Sequence, residues 1–426
     1  MKILVVGSGG REHALCWALG KNPEHAIYCA PGSDAVAQVA RRVPISATDV
    51  AALARFAEEE KIDLTVVGSE APLAAGLADE FAARRLAVAG PKADAARLES
   101  SKAFAKDFMA RHRIPTARFR VADSADEARA ILRSGEFGAD EAPVVVKADG
   151  LAAGKGVVVA RDRAEAEAAI AELMEQGRVG ADAARRVVIE EALTGREASL
   201  LFWTDGKDYL LMPPARDHKR VGEDDTGPNT GGMGAITSPD VLDAETQSRA
   251  VREIVEPTLA GLAADRLDFR GVVFVGLMLT PDGARVLEYN VRLGDPEAQA
   301  ILVRLRSDLA SIFDAVAHAR LCEARAEWSN ESSACVVLAS RGYPEKPVTG
   351  DVIEGLDAAA EDPRAQIFHA GTKRGEDGRW RTAGGRVLGV TSTGATLGDA
   401  LALCYGAASK IHWDGMHYRR DIGRFR

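Results

Sequence analysis

Over residues 1–95, short wholly apolar runs alternate with segments of helical period, and few folds accept that pattern. Lys2–Val6, Ala26–Ala30, Leu64–Val67 and Leu86–Ala89 read as strands, the last stopped by Gly90-Pro91. Glu12–Leu19, Asp49–Lys61 and Pro72–Arg85 read as helices. A strand without polar alternation needs cover on both faces, so this part of the chain predicts a parallel sheet with helices on either side.

The alternation does not continue through the 426 residues, a length that suggests about three domains. Ser100–Arg113 reads as a helix, stopped by Ile114-Pro115. Strands are expected at Val144–Lys147, Val157–Ala160, Val187–Glu190 and Ala198–Trp203, with a helix at Arg163–Gln176. Pro213–Ala235, rich in Gly, Asp, Pro and Asn, shows almost no periodicity and reads as a long functional loop. A helix is expected at Asp243–Ala264, then strands Val272–Leu279 and Arg285–Asn290 joined by the turn Thr280-Pro281-Asp282-Gly283. From about Glu327 the texture shifts to short strands, Ala334–Ala339, Asp351–Ile353 and Val387–Thr391, with a helix at Leu397–Ser409. The expected units are residues 1–100, 101–326 with a flap at about 120–192, and 327–426.

Composition excludes several classes. With 46% apolar and 27% charged residues the chain is neither disordered nor fibrous. A net charge of −9 gives no whole-surface attraction for nucleic acid or anionic membrane, so an anionic substrate must be held locally. Ile3–Val6 is too short for a secretory leader, and no run approaches a membrane span. The cysteines Cys16, Cys29, Cys322, Cys335 and Cys404 are scattered and predict free thiols in a reducing cytoplasm. The basic end RRDIGRFR reads as a solvated tail.

The glycines cluster where chemistry is expected. Gly7-Ser8-Gly9-Gly10-Arg11-Glu12-His13 joins a strand to a helix, which suits either a tight turn or a monophosphate at the helix N-terminus. Glu12 occupies the position where a dinucleotide fingerprint needs glycine. Lys147-Ala148-Asp149-Gly150-Leu151-Ala152-Ala153-Gly154-Lys155-Gly156 departs from a Walker loop in spacing, and Gly156 replaces its Ser/Thr. Between two strands it reads as a solvated hairpin or as a flap over triphosphate oxygens, with Lys147 projecting from a rigid strand. Glu190-Glu191-Ala192-Leu193, followed by Glu197, is a surface turn or a hinge that reads a nucleotide. Glu288 and Asn290 share one strand face and offer hard oxygen ligands suited to Mg²⁺, with Arg292 next in the alternation and Gly294-Asp295-Pro296-Glu297 behind it. Asp217-His218-Lys219-Arg220 and Gly227–Gly234 offer charges and amides to an anionic substrate. No Ser–His–Asp order or activated cysteine points to covalent catalysis.

These clusters, in this order, resemble the ATP-grasp fold and within it the phosphoribosylamine–glycine ligase family. The resemblance rests on VVGSGGREHAL, SKAFAKDFMARHRIPTA, VVVKADGLAAGKGV, DHKRVGEDDTGPNTGGMGA and RLGDPEAQ, and covers essentially the whole chain. It implies an α/β multidomain protein: a Rossmann-like N-terminal domain, an ATP-grasp domain and a small mixed, β-rich C-terminal domain. It implies that ATP phosphorylates glycine, and that the amine of 5-phosphoribosylamine then attacks the glycyl phosphate, in purine biosynthesis. It places Lys102, Lys147, Gly150, Gly154, Lys155 and Gly156 at the ATP phosphates, Glu190, Glu191, Ala192 and Leu193 at adenine, and Glu197 at ribose. Glu288 and Asn290 would hold Mg²⁺ or Mn²⁺. Gly9, Gly10, Arg11, Glu12, Ser69 and Glu70 would bind the phosphoribosyl group. Asp217, Lys219, Asn229, Arg292, Gly294 and Asp295 would border glycine and the acyl phosphate, with Arg292 and Lys219 the catalytic pair. Val291, Leu293 and Ile236-Thr237 depart from the family's usual residues in ways that read as packing changes. The resemblance further implies a cytoplasmic monomer or weak homo-oligomer acting on small molecules. The alternatives are another ATP-grasp carboxylate–amine ligase or carboxylase, and a nucleotide-binding protein without turnover.

Overall fold

The computed structural model describes residues 1–152, 156–180 and 182–424. Five parallel strands form the first sheet, in the order Arg41–Arg42, Ala26–Pro31, Lys2–Gly7, Leu64–Val67, Val88–Ala89. Ile3, Leu4, Val5 and Val6 are fully buried, as expected of a strand covered on both faces. The helix expected over Pro72–Arg85 is broken. It becomes Glu70–Ala74 and Leu77–Ala83, because Gly76 takes a left-handed conformation at φ +84° between them.

The flap is a four-stranded antiparallel sheet in the order Phe119–Ala122, Val187–Glu191, Val144–Ala148, Val157–Ala160. Its core is its own, built from Val144, Val146, Ile170, Leu173 and Ile189. The nine-stranded sheet runs Gly283–Asn290, Gly271–Thr280, Arg196–Thr204, Ala215–Asp217, Gly234–Thr237, Ser332–Ala339, Arg386–Gly394, Ala365–His369, with Tyr209–Leu211 paired to Arg196–Thr204. The Thr280–Gly283 turn joins its edge hairpin. The sheet continues across residue 327, since Ser332–Ala339 pairs with Gly234–Thr237. One apolar core joins Leu4 and Val6 of the first sheet to Leu200, Phe202 and Val273 of this one.

Three further expectations need correction. Pro213–Ala235 is not a structureless loop: it holds Ala215–Asp217, Arg220–Gly222, Thr226–Asn229 and part of Gly234–Thr237. Strands of three or four residues leave no side-chain period, and their order comes from backbone pairing. Asp351–Ile353 is not a strand but makes one isolated bridge, Val352 to Arg381. The basic tail is not solvated as far as Ile422: Arg419 is 1% exposed, with ion pairs to Asp225 at 2.7 Å and Asp421 at 2.8 Å, and Ile422 is buried.

Candidate active site

Two adjoining cavities, of about 390 and 540 Å³, bring together residues of the flap sheet, of the nine-stranded sheet and of helices beside the first sheet. Lys147, Glu190, Asp217, Lys219 and Glu288 line both and make them one cleft. Arg11, Glu70, Lys102, Gly156, Asn290, Arg292, Gly294 and Asp295 line the first. Glu191, Ala192, Leu193, Glu197 and Asn229 line the second.

The flap strand Val144–Ala148 delivers Lys147 to the cleft. Its ammonium is buried, 2.9 Å from Glu190 Oε1, and donates to the Leu287 carbonyl at 3.1 Å. Glu190 lies on the neighbouring strand and carries a second cation, Lys106, at 2.9 Å. Burial lowers the Lys106 ammonium to about 8, against the pull of Glu190. Lys102 opens the same helix, Lys102–Arg111, capped by the Ser101 hydroxyl.

Glu288 and Asn290 both reach the first cavity from one strand. Burial would raise the Glu288 carboxyl, but Lys219, Lys102 and Lys147 hold it below the usual range, so it is a charged oxygen donor. Asn290 Oδ1 accepts from Arg292 Nη2 at 3.0 Å and keeps a second lone pair. Arg292 is further engaged by Glu70 at 3.3 Å, by Glu99 and by the Leu293 carbonyl. Lys219 pairs with Glu197 at 2.9 Å.

At the first glycine cluster the glycines serve a side chain. Gly7 has φ +138°, and a Cβ there would lie 2.4 Å from Glu12 Cγ; one on Gly68 would lie 2.3 Å from Glu12 Oε1. Glu12 fills that space, accepting from the Gly9 amide at 2.6 Å and from Arg11 Nε at 2.7 Å. One of the amides expected to face an anion is therefore already satisfied, and the group presented to the cleft is Arg11. Gly9, Gly10 and Glu12 stand behind the wall: a Cβ on Gly10 would come within 2.8 Å of Gln299. Ser69 precedes the helix Glu70–Ala74, which carries Glu70 to the wall. Gly150 also lies off the wall, where its N–H donates to Ala183 at 2.9 Å and a Cβ would meet the Ala183 backbone at 2.8 Å. Gly154 and Lys155 lie outside the described residues.

Models of three phosphoribosylglycinamide synthetase segments match in succession: the N domain over residues 1–99, the ATP-grasp (A) domain over 100–298 and the C domain over 333–425. The chain belongs to the phosphoribosylglycinamide synthetase family. It is 48% identical to the phosphoribosylamine–glycine ligase of Xanthomonas axonopodis pv. citri (strain 306), over 99% of this chain and 97% of that one. To the Escherichia coli (strain K12) enzyme of that name it is 47% identical, over 99% and 98%. The crystal structure of the Thermotoga maritima phosphoribosylamine–glycine ligase superposes with a TM-score of 0.84 at 33% identity, covering 99% of this chain and 100% of that one. A Campylobacter jejuni biotin carboxylase shares the fold, with a TM-score of 0.71 at 15% identity over 98% and 92% of the two chains.

In this member of the phosphoribosylglycinamide synthetase family, Val291, Leu293, Ile236 and Thr237, which the resemblance reads as packing changes, are all buried. On the first cavity the sequence reading gave no role to four charged groups, Glu99, Lys106, Glu297 and Arg386. Lys106 stands four residues after Lys102, a helical spacing that puts both on one face. Glu297 stands two residues after Asp295 in RLGDPEAQ. Glu99 and Arg386 carry no local signal, since each acts on a residue far away in the chain. Arg386 donates to the carbonyls of Gly231 and Asp295, both at 2.6 Å, and pairs with the Asp295 carboxylate at 3.0 Å. Burial would raise that carboxyl, but Arg386 and Arg11 hold it below the usual range.

Proposed function

We propose that this cleft joins glycine to 5-phosphoribosylamine at the expense of ATP, through glycyl phosphate, giving glycinamide ribonucleotide, ADP and phosphate in purine biosynthesis. ATP spans the two cavities. Adenine lies against Glu190, Glu191, Ala192 and Leu193, ribose at Glu197, and the phosphates under the flap beside Lys102 and Lys147. Glu288 and Asn290 supply one charged and one neutral oxygen on a rigid strand, which fits Mg²⁺ or Mn²⁺ completed by phosphate and water. Such an ion, when bound, neutralises charge on the phosphate oxygens.

The chain's own residues do the rest by positioning and charge. Lys147 orients the terminal phosphate toward the glycine carboxylate. Arg292 faces the group in transfer and offsets the charge that develops there. Lys219 and Asn229 border the acyl phosphate, and Arg11, Glu70 and Asp295 hold the phosphoribosylamine. No protein nucleophile is required, since the attacking amine belongs to the substrate. Cytoplasmic location, and action as a monomer or weak homo-oligomer, belong to the same reading; among the described residues no helix is long and apolar enough to cross a membrane.

The observation that carries this reading is the presence of Lys147, Glu288, Asn290 and Arg292 on one cavity, in a chain related along its length to phosphoribosylamine–glycine ligases. The test is the substrate dependence of ADP release. Release is expected only with glycine and phosphoribosylamine together. Release driven by bicarbonate, or by another amino acid alone, would overturn it.

A further inference from the structure

The hairpin formed by Arg220–Gly222 and Thr226–Asn229 closes one side of the second cavity, where Arg220, Asp225, Asn229 and Thr230 line the wall. Lys219 stands just before it and Asn229 ends it, and the Thr230 amide donates to the Lys219 carbonyl at 2.8 Å. Its two strands pair with each other and, among the described residues, with no other strand. A two-stranded hairpin is marginal in water by itself, and residues 223–228 are exposed. The turn adds a difficulty. Asp224 and Asp225 take φ of +59° and +54°, a left-handed conformation that is uncommon outside glycine and persists only where the surroundings fix it.

The end of the chain supplies what fixes it. Arg419 Nη1 donates to the Arg220 carbonyl at 3.1 Å and to Asp225 Oδ1 at 2.7 Å, while Nε and Nη2 fork onto Asp421, both at 2.8 Å. Charge-assisted, forked bonds of this kind are strong and fix direction as well as distance. Asp421 in turn accepts the Asp224 amide at 2.8 Å. The Arg420 amide donates to Glu223 at 3.2 Å, and His417 Nε2 to the Val221 carbonyl at 2.8 Å. Beneath the hairpin the Gly423 amide donates to His218 Nε2 at 3.1 Å. Burial, with Arg419 adding to it, lowers the His218 ring to about 4, so Nε2 keeps the lone pair that accepts. Ile422 packs on Gly234, where a Cβ would lie 2.8 Å from its Cδ1. Arg419 alone of these reaches the first strand and the turn with one buried side chain.

We propose that residues 417–423 are a strap that holds this hairpin over the cleft, and that Arg419 is a positioning residue for Lys219 and Asn229. The inference rests on the function proposed above, in which those two side chains border the acyl phosphate. With the strap in place the hairpin keeps both in register and shields the intermediate from water. With the strap loosened both shift, and water reaches the glycyl phosphate. Water then adds at the acyl carbon, the carbon–oxygen bond breaks with its electron pair leaving on phosphate, and a proton is released. Glycine and phosphate depart without a ligated product.

The test is Arg419→Gln in the full chain, with Arg419→Lys and Arg420→Gln beside it. Arg419→Gln is expected to lower kcat per folded molecule about 10- to 100-fold, the scale of a small misplacement of reacting groups, and to release more ADP than glycinamide ribonucleotide. Arg419→Lys keeps the charge but not the fork and should recover only part of the loss. Arg420→Gln removes the same charge from an exposed side chain of the same segment and should match the wild type. Either a wild-type kcat or equal release of ADP and product in folded Arg419→Gln would overturn the proposal. So would a loss that follows the folded fraction alone, or an equal loss in Arg420→Gln. Thermal melting reports folding; if Arg419→Gln does not fold, Asp421→Asn and Arg419→Lys carry the same comparison. A wild-type chain that forms no product from both substrates would fail the proposed function instead. Hydrogen exchange would then still read the strap: in Arg419→Gln the amides of residues 221–229 should exchange about tenfold faster, and those of Ser332–Ala339 at the wild-type rate. Equal exchange of the hairpin in both proteins would overturn it.

Discussion

The Arg292 guanidinium is held by Glu99, whose other oxygen accepts the Val291 amide at 2.8 Å. Glu99 thereby fixes both the side chain of Arg292 and the backbone just before it. Burial raises the Glu99 carboxyl, and Arg292 opposes that rise.

Arg292→Ala is expected to cut turnover about 100- to 1,000-fold, the scale for losing one preorganised group that meets transition-state charge. ATP affinity by equilibrium binding should change little. Equal loss of both would make Arg292 a binding residue only. Glu99→Gln keeps an oxygen for the Val291 amide but removes the charge. It should lower kcat by about tenfold through poorer positioning of Arg292.

Glu190 ion-pairs with both Lys106 and Lys147, and all three are buried. Breaking a buried pair from one side leaves an uncompensated charge, at a cost of about 3–5 kcal/mol. Glu190→Gln strands two cations and should lower Tm more than Lys106→Met, which leaves Glu190 paired with Lys147. Comparable melting of the two variants would show that Glu190 is not the keystone of the cluster.

These cases show what the sequence could disclose. The first sheet was legible because its strands are wholly apolar and demand cover on both faces. Lys147, Glu288 and Asn290 were legible because they are chemistry-bearing residues on apolar strands, and Arg292 because it continues the Glu288–Asn290 spacing just past the strand end. Glu99 was not, because its role depends on Arg292, 193 residues away. The strands within Pro213–Ala235 were not, because backbone pairing holds segments too short to show a period. Arg419 looked like part of a solvated end because its partner Asp225 lies 194 residues earlier.

Arg386 comes from the C-terminal strand Arg386–Gly394, yet it fixes two loops of the cleft through Gly231 and Asp295. Arg386→Ala should free both loops and lower kcat/KM about 10- to 100-fold, the range expected when reacting groups shift by about an ångström. Arg386→Lys restores charge but not the forked donation, so its rescue should be partial. Full rescue by lysine would mean that only the charge opposite Asp295 matters.

His13 and His369 meet where the first helix packs on the strand Ala365–His369, and the His369 amide donates to His13 Nδ1 at 2.9 Å. Both rings are buried. Burial lowers His13 to about 4 and His369 to about 3, His13 adding to the latter, against an ordinary 6.5. Between those values the unfolded chain binds protons that the folded chain refuses. Stability is therefore complete above pH 6.5 and falls as pH drops toward 4, by about 1.4 kcal/mol per pH unit for each histidine. Carboxylates that titrate in the same range add their own slope, so the comparison must be differential. His369→Phe removes one titrating group, keeps an aromatic ring against Trp380, and leaves the His369 amide bond to His13 in place. Melting curves of both proteins from pH 7.5 to 4.5 should converge as pH falls, the variant losing less stability per unit. Parallel curves would mean that His369 is protonated as readily in the folded chain as in the unfolded one, and that this seam does not set the acid limit.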